Sequence, residues 1–183
     1  MIKEPLLKMR NKPAKILEYP HPDLAKVAEP VDFEKMPLKK RIALVRKMGV
    51  TLMRQPGGMR LGIAAPQIGV SLRVMVVRGT VMFNPTWRPV TTPILDGVEG
   101  CYSIPGKIFS VSRPKYGWAK WTDVDGNPRS GKINGLAAIV FQHELDHLNG
   151  KCCIEVGTEM QPKVGTPPLP VTPVDQEITP ETV

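Results

Sequence analysis

Asn134-Gly135-Leu136-Ala137-Ala138-Ile139-Val140-Phe141-Gln142-His143-Glu144-Leu145-Asp146-His147-Leu148-Asn149-Gly150 is the stretch on which the fold turns. It predicts a helix beginning at Asn134 or Gly135 and running to Leu148, with Gly150 as its terminator. His143 and His147 stand four residues apart, about one helical turn, so both imidazoles point the same way and can grip one metal ion. Glu144 follows the first imidazole directly, where its carboxylate can reach a water on that ion without displacing it. This HExxH arrangement is that of metal-dependent hydrolases, and it makes the chain an enzyme candidate.

Working outward, Leu38, Ile42, Val45, Met48 and Leu52 recur at steps of three and four between lysines and arginines. That spacing predicts an amphipathic helix from Leu38 to about Arg54, stopped by Gln55-Pro56-Gly57-Gly58. Between the two helices lie short strand-like runs: 73–77, 81–84, 107–112 and 117–124. Asp125-Gly126-Asn127 reads as a hairpin turn into a further strand near Lys132. Strands clustered between helices give an α+β domain, a mostly antiparallel sheet packed around a central HExxH helix, with an N-terminal helix. Residues 1–160 are expected to form this single catalytic domain. Residues 161–183, rich in proline and without an aromatic, read as a disordered or extended tail.

At 183 residues with 42% hydrophobic content, the chain suits one domain that buries a sizeable core. No apolar run reaches the length of a membrane span, and the basic N-terminus lacks the apolar heart of a secretory signal. The three cysteines are odd in number, and Cys152 and Cys153 are adjacent. Free or metal-bound thiols in a reducing, cytoplasmic setting are expected over a disulfide framework. A net charge of +8 is spread along the chain without one dense cluster, and aromatics make up only 5%. A stacking platform or specific nucleic-acid reader is therefore not expected, only non-specific attraction to an RNA-rich partner.

Two imidazoles leave a tetrahedral ion short of one protein ligand, with the fourth position open for water. By spacing, the third ligand could be His21, Cys101, Cys153, Glu155 or Glu159. His21 sits in a rigid Tyr19-Pro20-His21-Pro22 turn. Cys101 is flanked by Gly100, which lets the backbone come close, and by Glu99, which could orient a ligand. Spacing alone does not choose.

Gly62-Ile63-Ala64-Ala65-Pro66-Gln67-Ile68-Gly69, Glu99-Gly100-Cys101-Tyr102-Ser103 and Gln142-His143-Glu144-Leu145-Asp146-His147 together resemble, in order, the three motif blocks of the peptide deformylases. Weaker likeness extends over roughly residues 15 to 155. The resemblance implies Cys101, His143 and His147 as metal ligands and Fe²⁺ as the ion, with Zn²⁺, Ni²⁺ or Co²⁺ tolerated. It implies removal of the formyl group from N-formylmethionyl nascent peptides, with release of formate. Glu144 would be the proton shuttle, and the Gln67 amide with the backbone N–H of Tyr102 would hold the oxyanion. Leu61, Leu136, Ile139 and Val140 are expected to form the methionine pocket, with the Gly62 backbone pairing with the peptide.

Three departures carry expectations. Arg60 stands where that family has a glycine, so a positive φ there would be strained. Tyr102 replaces a leucine without loss of its backbone donor. The tail replaces the basic C-terminal helix with which bacterial members dock on the ribosome, leaving only weak ribosome association by the basic body. The protein is expected to be a monomer with no membrane contact. The rival readings are an HExxH zinc endopeptidase using Cys153 or a downstream glutamate, and a catalytically silent metal-stabilised or peptide-binding protein.

Overall fold

In the computed structural model of the chain, residues 12–55, 60–161 and 179–181 are described, with 91–93 and 179–181 as backbone only. The first eleven residues, the helix-stopping 56–58 and most of the tail fall outside them. Two long helices, α1 (Leu38–Met53) and α2 (Gly135–Leu148), hold the expected spans to within a residue. A one-turn α3 (Cys153–Val156) and two short 3-10 turns, Pro22–Ala25 and Ala65–Ile68, complete the helical elements described.

The strands are β1 (Gly62–Ala64), β2 (Val74–Val77), β3 (Thr80–Cys101), β4 (Ile104–Thr122), β5 (Pro128–Asn134), β6 (Thr158–Met160) and β7 (Thr179–Glu181). Neighbours run β1-β2-β3-β4-β5-β7, with β6 on β4, and every strand pairing is antiparallel. The expected mostly antiparallel sheet is therefore present. Its strands are longer than the short runs read from sequence. β3 continues through Trp87 to Cys101, because register shifts after Phe83, Val90 and Gly100 absorb the prolines and the bend. The two runs 107–112 and 117–124 are one strand, β4. Within the stretch read as a tail, Thr179–Glu181 is extended and pairs with β5, while 162–178 lie outside the described residues.

β1 and β2 explain where the helices sit. Val74-Met75-Val76-Val77 is buried at all four positions, as expected of a strand covered on both faces. Met75 and Val77 join Ala64, Ala137, Ala138, Phe141 and Leu148 under α2. Val74 and Val76 join Ile63, Leu44, Met48 and Leu52 under α1. The pleat sends alternate side chains to opposite helices, so three-residue β1 is fixed from both sides.

A smaller third cluster gathers Leu24, Cys101, Ile104, Phe109, Val111, Cys152 and Cys153 where β3, β4 and α3 meet. Asn134 precedes α2 at the N-cap position without a side-chain hydrogen bond, and the helix exit is bonded from Asn149 N–H to the Leu145 and Asp146 carbonyls. Gly150 follows with φ 72°, and a Cβ there would strike the Ala25 carbonyl, so glycine is required at this stop.

Candidate metal centre and cleft

The register of β3 delivers one sulfur to the face of α2 that carries the two imidazoles. Ligand atoms of Cys101, His143 and His147 all lie within 4.8 Å of one another, the one such metal-capable group among the described residues. Cys101 Sγ is 3.2 Å from His147 Nε2. Ligands of a tetrahedral ion with bonds of ~2.0–2.3 Å stand roughly 3.5 Å apart, so the donors fit. Burial works against charge on His143, but Cys101 and Glu99 outweigh it and hold this imidazole well above its ordinary range. The Cys153 thiol, together with both imidazoles, holds Cys101 well below the ordinary thiol range. A site that already separates a thiolate from a proton is one that a dication suits.

The other candidates for the third ligand are engaged elsewhere. His21 is exposed and its Nδ1 accepts from Asp23 N–H at 3.2 Å. Glu155 accepts from Cys152 N–H at 2.7 Å, and Glu159 pairs with Lys107 at 2.8 Å. Cys153 lies buried behind Cys101, and its own thiol is pushed upward chiefly by its hydrogen bond to Cys101. Burial raises Cys152 to about 12, and its sulfur lies 3.8 Å from His147 Nδ1.

Glu99 stands behind the imidazoles. Its Oε2 lies 2.9 Å from His143 Nδ1, which leaves Nε2 as the nitrogen available to an ion. Arg113 grips the same carboxylate through Nε at 2.5 Å and Nη2 at 2.9 Å, and reaches Asp146 through Nη1 at 2.8 Å. Burial alone would raise Glu99, but the bonds from His143 and Arg113 prevail and hold it below the usual carboxylate range. Asp146 thus anchors α2 through a salt bridge. Arg113 went unread in the sequence. Its signal was parity: along β4 it shares a face with Phe109 and Val111, so a charge there is buried and must be paired.

Glu144 is 3% exposed, and its Oε2 has no hydrogen-bond partner. Burial raises its carboxyl to about 7, against the opposing pull of the two imidazoles. Gly62 makes room for it. A Cβ at that position would collide with Glu144 Oε1 and come within 2.8 Å of Val140 Cγ1.

Gln67 is buried in the 3-10 turn that follows β1. Its Oε1 accepts from Ala64 N–H at 2.9 Å, and its Nε2 donates to Ser103 Oγ at 3.3 Å and faces Cys101 Sγ at 3.7 Å. One amide therefore both caps its own turn and points a donor at the cluster. Ser103 was overlooked, although it closes the same sequence block as Cys101.

Of these groups, Gln67, Glu99, Cys101, His143 and Glu144 open onto one cleft of about 700 Å³. Leu61, Gly62, Leu136, Ile139, Val140 and Tyr102 line it, as do Gln67, Cys101, His143 and Glu144. Every site residue read from the sequence is therefore brought to the cleft except His147, which is fully buried beneath it beside Cys101. Arg60 lines the mouth with φ 47°, the left-handed region, which costs an arginine about 1–2 kcal/mol. Burial raises the Tyr102 phenol while its hydrogen bond with the Arg60 backbone opposes the rise.

A thiol and two imidazoles beside a buried carboxylate, open to an apolar cleft, define the site of a metal-dependent hydrolase. Residues 13–163 match the family model for polypeptide deformylase. A peptide deformylase of Pseudomonas aeruginosa is 36% identical over 147 residues, covering 76% of this chain and 84% of that protein. Among solved structures, a class I type b peptide deformylase of Acinetobacter baumannii with Met-Ala-Ser bound aligns with a TM-score of 0.74 at 27% identity, over 79% of this chain and 98% of that one. Peptide deformylase from Thermotoga maritima aligns at 0.72 and 31%, over 80% and 98%. The chain belongs to the polypeptide deformylase family, metal-dependent enzymes that remove N-formyl groups.

Proposed function

We propose that this protein hydrolyses the formyl group of N-formylmethionyl nascent peptides, giving formate and a free amino terminus. The observation that carries this reading is the Cys101–His143–His147 cluster set beside a buried carboxylate oxygen that has no other partner. When bound there, a divalent ion supplies Lewis acidity at neutral pH. Fe²⁺ is the ion of this reading, and the same borderline-soft donors accept Zn²⁺, Ni²⁺ or Co²⁺.

Each residue has a physical task. The Glu144 carboxylate takes a proton from the water that attacks the formyl carbon. It returns that proton to the peptide nitrogen as the C–N bond breaks, so the nitrogen leaves as an amine rather than an amide anion. Gln67 Nε2 and the Tyr102 backbone N–H donate to the oxygen that gains charge during attack. Glu99 and Arg113 hold His143 in orientation. Leu61, Leu136, Ile139 and Val140 receive the methionine side chain, and the Gly62 backbone pairs with the extended peptide. A Met-Ala-Ser peptide bound to the Acinetobacter relative supports a cleft of this kind. The reading takes residues 1–160 as one cytoplasmic, monomeric catalytic domain with α2 at its centre and 161–183 as an appendage.

The test is formate release from formyl-Met-Ala-Ser by anaerobically purified protein, with metal analysis and mass spectrometry of the peptide. Wild type should release one formate per peptide and leave internal bonds intact. Cys101→Ser should lose or exchange its ion and its turnover. Full activity and unchanged metal in Cys101→Ser would overturn the ligand assignment. Cleavage between residues would favour the endopeptidase.

A further inference from the structure

α1 contains five basic residues and no acid: Leu38-Lys39-Lys40-Arg41-Ile42-Ala43-Leu44-Val45-Arg46-Lys47-Met48-Gly49-Val50-Thr51-Leu52-Met53. Arg41 is buried against the Phe33 ring, 4.5 Å from its centroid, and belongs to the core side. Lys39, Lys40 and Lys47 are exposed, and Arg46 is half-buried with its Nε enclosed. At ~100° per residue, Lys39, Lys40, Arg46 and Lys47 fall within an arc of about 120°, separate from the face that carries the buried Leu44, Met48 and Leu52. The two basic pairs recur after seven residues, about 10.5 Å along the axis, and exposed Arg54 extends the row by another seven from Lys47. A sequence reading sees these charges as scattered; the helix gathers them into a stripe.

Nothing described neutralises that stripe. Ion pairs among the described residues occupy Lys26, Lys35, Lys107, Arg113 and Arg129, and none involves Lys39, Lys40, Arg46, Lys47 or Arg54. Only small or half-buried side chains, Ala43 and Val50, lie between the basic pairs. A helix that lies in a lipid surface would present large apolar groups there instead. Absence of aromatic side chains from the helix excludes base stacking, which leaves phosphate contacts as the available mode.

We propose that the outer face of α1 docks on the phosphate backbone of a structured RNA, without regard to base sequence. None of the stripe residues lines the catalytic cleft, so an RNA held there leaves the cleft open. The surface is independent of the chemistry proposed for the cleft.

The experiment is fluorescence anisotropy of a labelled mixed-sequence RNA hairpin titrated with the full chain across a salt series. Five phosphate contacts give a log–log salt slope of about −4.5 at ~0.9 per contact. Lys39→Glu with Lys47→Glu should bring the slope to about −3 or shallower and weaken binding at least tenfold, while circular dichroism and turnover of a free formyl peptide stay unchanged. Lys115→Glu with Lys120→Glu, exposed on β4 and equal in net charge, should weaken binding much less. Equal loss in both double variants would reduce the effect to net charge and overturn the assignment. So would wild-type binding without salt dependence. Tighter binding to phosphatidylserine vesicles than to the hairpin, lost in the α1 variant, would assign the face to a membrane and overturn the proposal as well.

Discussion

The two long helices handle charge in opposite ways. α2 turns its ionisable groups inward, and they are constrained there: His143 by Glu99, Asp146 by Arg113, His147 by the sulfurs of Cys101 and Cys152. Glu144 is the exception, buried without a hydrogen-bond partner at Oε2. α1 turns Lys39, Lys40 and Lys47 outward, with half-buried Arg46 beside them, and no described ion pair matches any of the four. The contrast teaches where chemistry and where contact reside. A buried charge is tolerated only with a partner or a task, whereas an exposed one costs little and is free to meet another molecule.

The largest effect expected from breaking this contrast is on turnover. Glu144→Ala should lower kcat about a thousandfold with metal content unchanged, because only the proton transfer is removed. Normal turnover in that variant would remove Glu144 from the mechanism. Next, Arg113→Ala strands the buried Glu99 carboxylate, and loss of one partner of a buried pair costs about 3–5 kcal/mol. Denaturant midpoints measure this, and a loss under 1 kcal/mol would mean that the buried Glu99 carboxylate does not depend on Arg113.

Gln67→Ala should cost roughly a hundredfold in kcat, about 3 kcal/mol of transition-state stabilisation, with KM little changed. A pure KM effect would make Gln67 a turn cap alone. For the metal-free protein, the raised Glu144 pKa gives a signed prediction. Native Glu144 holds its proton up to about pH 7 whereas the unfolded chain releases it near 4.5, so its contribution to stability is full below 4.5 and declines as pH rises through 7. Glu144→Gln should therefore become more stable than wild type by up to about 3 kcal/mol across that window. A stability gap that does not vary with pH would contradict the burial argument. The smallest effect belongs to α1: Lys39→Ala with Lys47→Ala should stay within about 0.5 kcal/mol per substitution in thermal stability, as unpaired surface charges do.

Both helices were legible because their signals are local. Steps of three and four placed α1, and the i,i+4 histidines with a closing glycine placed α2, each to within a residue. The site was legible as three blocks, and Cys101 among several candidate ligands only through their resemblance to a family. β3 and β4 were under-read, since the prolines and glycines that look like breaks are carried by bulges that form only once a neighbour strand is present. Arg113 sits in one of those strands and shares no motif with what it supports.

By itself the sequence determined the helix spans, the paired imidazoles and the carboxylate between them, since these follow from backbone periodicity within a few residues. Only the tertiary structure decided which sulfur meets His147, 46 residues away, and which guanidinium steadies Glu99. Those choices depend on strand register and on a partner for each buried charge, neither of which any single segment contains.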